Sequence, residues 1–136
     1  MLDLHRPRAL AVTLVLALVA SLARPAPAIA DPTPAEARVA AAATVFAATL
    51  PRLAAGAATP ELVYTWSVRW LDAQRDQPLR GKALVAAAQA HLDRMTALES
   101  KVGELVKAGA LPALDAAAAT YYRVEAALWL ARKGKR

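Results

Sequence analysis

The stretch AGALP at residues 108–112, together with TYYRVEAALWL at residues 120–130, decides how this chain is organised. The tripeptide AGA that opens it also stands at residues 55–57, 53 positions earlier. Further positions correspond at the same offset: Ser67 with Thr120, Leu71 with Val124, Asp72 with Glu125 and Ala73 with Ala126. Because a glycine between alanines is typical of a helix end, the sequence predicts two tandem repeats of one helical hairpin.

The first 30 residues have the layout of a secretory signal peptide. A basic start precedes an apolar run over residues 9–23, and AIA at residues 28–30 supplies the small residues of a cleavage site. The run is 15 residues long, whereas a membrane-spanning helix needs about 20. We therefore expect export to the periplasm or cell envelope, with cleavage after Ala30. An uncleaved membrane anchor is the alternative.

The remaining residues are enough for one small domain. We expect a helical domain over residues 31–131, with a first repeat at about 34–77, a second at about 79–131, and a basic tail at 132–136. Alanine occurs 29 times after residue 30; it is the best helix former, but its burial contributes little hydrophobic energy. Such a domain gains stability from close helix contact or from a partner.

The net charge of +6 lies at the two ends of the chain, and residues 31–131 are balanced. A nucleic-acid-binding protein carries a basic face along one element, with aromatic residues interleaved, so we expect no nucleic acid partner. The basic tail either complements the negative end of the last helix or touches an acidic surface such as anionic lipid. The absence of cysteine excludes disulfides, thiol catalysis and zinc held by thiolates.

Capping and turn residues divide the domain into four helices. TPAE at residues 33–36 forms a capping box, and TPE at residues 59–61 starts the second helix in the same way. Pro51 should kink or break the first helix near residues 47–50. Glycine ends helices and proline restarts them, so the predicted corner residues are Gly56, Pro60, Gly109 and Pro112.

Apolar residues recur at steps of three and four in each helix, which is the spacing of a coiled-coil seam. In the last helix the predicted seam is Leu114, Ala118, Tyr121, Val124 and Leu128. No stretch alternates with a period of two, so no strand is expected. The sequence therefore predicts an all-α fold of two consecutive helical hairpins with antiparallel, coiled-coil-like packing. The long third helix should leave apolar surface uncovered near its end.

Aromatic residues concentrate in the second and fourth helices. The sequence predicts five of them as packing anchors that supply the bulk missing from the alanine-rich helices: Trp66, Trp70, Tyr121, Tyr122 and Trp129. The alternative is an aromatic-lined groove between helices that binds an apolar ligand.

The polar residues of the sequence predict neither a catalytic site nor a metal site. His91 is the only histidine after residue 30, and no second histidine or cysteine can complete a metal shell with it, so we expect a surface histidine. The repeat-equivalent carboxylates Asp72 and Glu125 lack a nucleophile, and ion pairs with Arg69 and Arg123 are the simpler expectation. We therefore predict no catalytic residue, no metal and no cofactor.

The order of long helix, Ala-Gly corner and acidic helix end occurs twice. The relevant stretches are AGA at 108–110 with YRVEA at 122–126, and AGA at 55–57 with RWLDA at 69–73. In this order the chain resembles the helical hairpin repeats of TolC-like outer-membrane efflux proteins. The resemblance does not extend to the strands of that family's barrel. It implies the hairpin form, export and helical partners.

Two classes of function remain. The first is a non-enzymatic protein of the cell envelope that acts through helix–helix association, with copies of itself or with another helical envelope protein such as an efflux-type assembly. The second is a small periplasmic helical bundle that binds an apolar ligand. Neither reading requires a stable membrane span after cleavage.

Overall fold

A computed structural model describes residues 31–78 and 81–133. Over these residues the chain forms four helices and no strand: α1 (Pro34–Ala54), α2 (Pro60–Arg75), α3 (Lys82–Lys107) and α4 (Ala113–Lys133). The prediction of an all-α protein with four helices is therefore confirmed for this part of the chain. The expected signal peptide and the last three residues of the basic tail lie outside the described residues.

The two predicted helix starts are confirmed. At the start of α1, the Glu36 carboxylate accepts a hydrogen bond from the Thr33 N–H at 2.8 Å, and the Thr33 hydroxyl accepts one from the Glu36 N–H at 3.3 Å. The hydrogen bond from the Thr33 backbone lowers the pKa of Glu36. At the start of α2, the Thr59 hydroxyl accepts from the Leu62 N–H at 3.2 Å. These bonds satisfy backbone donors that a helix start leaves free.

The two glycine corners have the same geometry. Gly56 and Gly109 have φ values of +71° and +72°, in the left-handed region where glycine carries no Cβ penalty. Each glycine N–H donates to the carbonyl three residues back, at 3.0 and 2.9 Å. The next residue's N–H donates to the carbonyl five residues back, at 2.7 and 2.8 Å. Both corners are therefore Schellman motifs.

Pro51 does not break α1, which continues to Ala54. The residue lies in the last turn, so its missing N–H removes one hydrogen bond near a helix end rather than in the middle of the ladder. The Ala55 N–H donates to the Pro51 carbonyl at 3.1 Å and closes that turn. The prediction of a helix break near residues 47–50 is therefore wrong.

Consecutive helices pack on one another: α1 on α2, α2 on α3 and α3 on α4, with a smaller contact between α2 and α4. Short connections make such consecutive helices antiparallel neighbours. All four contribute to one core, formed by Phe46, Leu53, Val63, Met95, Leu98, Val102, Ala119 and Ala126. α1 and α4 are the two ends of this row.

The C-terminal part of α3 is covered. Val102 is fully buried, and Leu105 and Val106 pack against the core together with Leu111 from the second corner. The apolar surface that the sequence places near the end of α3 lies instead mainly on α4.

Candidate functional site

α4 buries two alanines completely and leaves four of its large apolar side chains exposed, while Tyr122 and Trp129 are half-buried. Its fully buried residues are Ala119 and Ala126. Its exposed large residues are Leu114 (77%), Tyr121 (62%), Val124 (43%) and Leu128 (51%). Because they are seven, three and four residues apart, they share one side of the helix. We call this set the α4 face.

The sequence predicts these residues as the packing seam of α4. That prediction is wrong, because α4 is rotated about its axis so that this side is exposed. Tyr121 is not a packing anchor, because its neighbour Tyr122 takes the inward position. The Tyr122 ring stacks on Tyr64 of α2, with centroids 4.0 Å apart and planes 11° apart. Burial raises the pKa of Tyr122.

Glu125 lies at the border of the α4 face and is held within the chain. Its carboxylate accepts hydrogen bonds from the hydroxyls of Tyr64 at 2.5 Å and Tyr121 at 3.3 Å. Burial, followed by the Glu125 hydrogen bond, raises the pKa of Tyr64. The ion pair expected between Glu125 and Arg123 does not form, since Arg123 bonds to Glu99 of α3 at 2.5 Å. Glu125 therefore orients Tyr121 on the α4 face.

Asp72, the repeat equivalent of Glu125, has different surroundings. It pairs with Arg75 at 3.3 Å rather than with Arg69. Arg69 lies over the Trp66 ring instead, 4.6 Å from its centroid. The expected pair of equivalent ion pairs is thus replaced by two unrelated local arrangements.

An open cleft runs along the α4 face. It has a volume of about 230 Å³ and is lined by Tyr121, Val124, Glu125, Leu128, Trp129 and Arg132. Small-molecule pockets usually have volumes of about 300–1,000 Å³ and enclose most of their ligand. An open, mostly apolar cleft of this size suits side chains of another helix better.

A buried polar cluster joins α2 to α3. The Ser67 hydroxyl lies 2.8 Å from Nδ1 of His91 and accepts a hydrogen bond from Nε of Arg94 at 2.7 Å. Since arginine can only donate, the hydroxyl proton is left for His91 Nδ1. This network assigns the histidine proton to Nε2, an atom with no hydrogen-bond partner among the described residues.

His91 is buried, with 1% of its surface exposed, and the prediction of a surface histidine is wrong. Residues 88, 91, 95, 98 and 102 step by three, four, three and four, so the histidine continues the seam of α3. Its ring stacks on Trp129 with centroids 5.4 Å apart. Burial, helped by the charges of Arg94 and Arg75, lowers the pKa of His91 to about 4. The imidazole is therefore neutral at pH 7.

Arg94 lies between two aromatic rings. Its guanidinium carbon is 4.1 Å from the Trp70 centroid and 5.4 Å from that of Phe46, within cation–π range. Burial lowers the pKa of Arg94 to about 10, so it remains charged at neutral pH. No substrate can reach the adjacent Ser67–His91 pair through these packed side chains. The cluster is the joint that aligns α2 and α3.

A small cavity lies beside this joint. It is lined by Leu71, Arg75, Leu84, Ala88 and Trp129, and holds about 10 Å³. This is about the space of one water molecule, so no apolar ligand fits there. Within residues 31–78 and 81–133, no three His, Cys, Asp or Glu side chains are grouped to hold a metal ion.

The other predicted residues lie as follows. Trp66, Trp70 and Tyr122 are half-buried and pack against the core, and Trp129 is half-buried against His91. The corner residues Gly56, Gly109 and Pro112 are exposed, whereas Pro60 is buried. Sequence reasoning missed Ser67 and Arg94, which a single polar position in an apolar seam could have indicated.

The chain matches no protein-family model, no curated protein and no solved structure. The resemblance to TolC-like hairpins therefore stays a prediction. Among the helices of the described residues, none combines the length and the apolar character needed to cross a membrane.

Proposed function

We propose that this protein is non-enzymatic and works by helix–helix association through the α4 face. The observation that carries the proposal is the arrangement of α4, with buried alanines and exposed leucine, tyrosine and valine side chains. Fully burying one large apolar side chain contributes about 1.5–3 kcal/mol. The isolated chain leaves that energy ungained, and contiguous apolar surface of this kind usually marks a binding site.

The partner that the α4 face suits is another helix. Its exposed residues run in one line from Leu114 to Leu128, a distance of about 21 Å at 1.5 Å per residue. An amphipathic helix is recognised through anchors spaced by three, four and seven residues, which is the spacing found here. Copies of this chain and other helical envelope proteins are both of this class.

The non-enzymatic part of the proposal is supported by the surroundings of the polar groups. The Ser67 hydroxyl is engaged by both His91 and Arg94 and is sealed from solvent. The Glu125 carboxylate is engaged by two tyrosine hydroxyls. General acid–base catalysis needs a group within reach of a substrate, and neither arrangement offers one.

Location in the cell envelope is the part of the proposal that rests on residues 1–30. Intact-mass analysis of the protein from the envelope fraction should give a chain that starts at Asp31. A chain that retains residues 1–30 would favour the membrane anchor. The link to efflux-type assemblies rests on the resemblance alone.

The second candidate is a bundle that binds an apolar ligand, and the cleft along the α4 face is the observation in its favour. Its volume falls below the usual range for ligands, which makes it the weaker candidate. A strictly monomeric protein that retains no envelope component but binds an apolar dye tightly would promote it.

The α4 face can be tested with matched lysine substitutions. Val124→Lys should abolish association, seen either as concentration-dependent mass in light scattering or as retention of a helical envelope protein. Val85→Lys on α3 is the control, because Val85 is also a partly exposed valine, at 37%. Equal association of the two variants would contradict the proposal.

A further inference from the structure

The joint between α2 and α3 is an interface whose two halves recur elsewhere in the chain. On the α2 side, Ser67 meets His91 and Arg94, and Leu71 shares the small cavity with Ala88. α2 is the second helix of its hairpin, and α3 is the first helix of the next one. By the 53-residue repeat, the equivalent joint would unite α4 with the first helix of another hairpin.

α4 carries its half of such a joint uncovered. Thr120 and Val124 are the repeat equivalents of Ser67 and Leu71, and both are exposed. Leu128, on the same side of α4, is also exposed. The side of α4 formed by Thr120 together with Val124 and Leu128 of the α4 face therefore repeats the side of α2 that receives α3.

α1 carries the other half uncovered. It is the first helix of its hairpin, as α3 is in the second. Its residues that correspond to Ala88, His91 and Arg94 are Ala35, Arg38 and Ala41, and all three are exposed. We call these three residues the α1 face.

We infer that the α4 face binds the α1 face of a second copy of this chain, head to tail. This inference rests on the proposed function and names its partner. Val124 of one copy lies against Ala35 of the next, and Thr120 lies between Arg38 and Ala41. The new interface repeats between two chains the joint that α2 and α3 form within one.

The side chains on the two faces are complementary. The Thr120 hydroxyl donates to Glu99 of its own chain, and its lone pairs can accept from Arg38 of the second copy, as Ser67 accepts from Arg94. Within the chain Arg38 pairs with Asp76, but both side chains are more than half exposed, and such a pair contributes only about 0–1 kcal/mol. The small alanines of the α1 face leave room for Val124, as Ala88 leaves room for Leu71.

The symmetry of this contact determines the size of the assembly. Each copy uses two different faces, so the contact is heterologous and leaves one α1 face and one α4 face free at the ends. Association therefore continues beyond two copies as concentration rises. Pairing of two α4 faces would be isologous and would stop at a dimer.

A mixing experiment tests the inference. The full chain is produced with export, and its mass is measured by light scattering over a range of concentrations. Wild type should grow beyond two copies. Val124→Lys blocks the α4 face and Ala41→Lys blocks the α1 face, so each variant alone should be monomeric. An equimolar mixture should form two-chain complexes and no larger species, while Val85→Lys should behave as wild type.

The outcomes separate this inference from the proposed function. Dimers that persist in Ala41→Lys would overturn the head-to-tail contact and favour paired α4 faces, with the proposed function intact. A monomeric wild type whose retention of a helical envelope protein is lost in Val124→Lys would also overturn it and leave the function standing. A monomer that retains no such protein would overturn both. Circular dichroism should give every variant the helix content of wild type.

Cross-linking through introduced cysteines gives an independent test of the contact. Because the chain contains no cysteine, each introduced cysteine is the only thiol of its chain. Thr120→Cys and Arg38→Cys proteins, mixed and treated with a short thiol cross-linker, should yield a 120–38 link between chains. The equivalent residues Ser67 and His91 are in direct contact within one chain. Links within the Thr120→Cys protein alone, with none in the mixture between 120 and 38, would overturn the inference.

Discussion

α2 and α4 hold the same place in their hairpins, and they differ in what lies beside them. Leu71 of α2 is 2% exposed, whereas its equivalent Val124 is 43% exposed. Ser67 is fully buried in the joint with α3, and its equivalent Thr120 is exposed. α2 has a helix on either side in the row, and α4 lies at one end. Burial thus follows position in the row more closely than repeat sequence.

The difference teaches that a repeat specifies its own corner but not its neighbours. Gly56 and Gly109 end their helices with the same pair of hydrogen bonds, because those bonds join residues five positions apart or fewer. The side chains that face the next hairpin are buried only where a next hairpin is present. In repeat proteins each unit buries its apolar face against an adjacent unit.

The largest expected contrast is between Leu71→Ala and Val124→Ala. Leu71→Ala leaves a cavity in the α2–α3 joint and should lower the free energy of unfolding by about 2–5 kcal/mol. Val124→Ala should change it by less than about 0.5 kcal/mol. Urea unfolding at low protein concentration, where association is absent, measures both. Equal losses of unfolding free energy in the two variants would show that the Val124 side of α4 is as well covered as the Leu71 side of α2.

The second contrast uses pH, because only the covered side holds a buried histidine. In the unfolded chain the His91 pKa is near 6.5, and burial lowers the pKa to about 4 in the fold. The unfolded state therefore binds the proton first as pH falls. Stability should be complete above pH 6.5 and decline by about 3 kcal/mol as pH falls to 4.

His91→Gln is the control for this pH dependence, and its stability should be flat between about pH 6.5 and pH 5. Glu99 loses its charge at lower pH, because a hydrogen bond from Thr120 and the ion pair with Arg123 lower its pKa below the usual 4.5. A slope that persists in His91→Gln would assign the titration to other groups. Urea midpoints measured at each pH give the comparison.

A smaller contrast is expected between Ser67→Ala and Thr120→Ala. Removing the Ser67 hydroxyl leaves Arg94 and His91 without their shared partner in a buried site, which should cost about 1–3 kcal/mol. Thr120→Ala should cost less, about 0.5–1 kcal/mol, because it removes only the hydrogen bond between an exposed hydroxyl and Glu99. Thermal unfolding of the two variants measures the difference. A larger loss in Thr120→Ala would mean that its side is already covered.

The smallest contrast should be between the two corners, where the repeats agree. Gly56→Ala and Gly109→Ala both place a Cβ at positive φ with no atom within 4 Å, so only the left-handed backbone is penalised. Each should cost about 1 kcal/mol, and the two losses should match within experimental error. Unequal losses would show that one corner carries a further role.

Local chemistry explains what the sequence could predict. The capping box of Thr33 and Glu36, the Thr59 cap and the two corner glycines each depend on residues a few positions apart. Such signals survive any tertiary arrangement. Four helices and their approximate bounds followed from them.

The rotation of α4 and the burial of His91 depend on other helices, and the sequence could not decide them. Two sides of α4 show three- and four-residue steps, one with Tyr121 and Val124, the other with Tyr122 and Trp129. Stacking of Tyr122 on Tyr64 selects the second side. The polar joint was missed because its members lie 24 and 27 residues apart.

The Ser67 joint also bears on the order of folding. The helices of each hairpin are joined by five-residue corners, so they can pair with little loop entropy, whereas α2 and α3 must dock in one register. A slip by one helical turn would bury Arg94 and His91 without the Ser67 hydroxyl as a hydrogen-bond partner. The desolvation free energy of these unpaired groups would disfavour the wrong alignment. We expect this docking to follow the transition state. Ser67→Ala should then speed unfolding and leave the folding rate nearly unchanged; slower folding in stopped-flow measurements would place the joint in the nucleus.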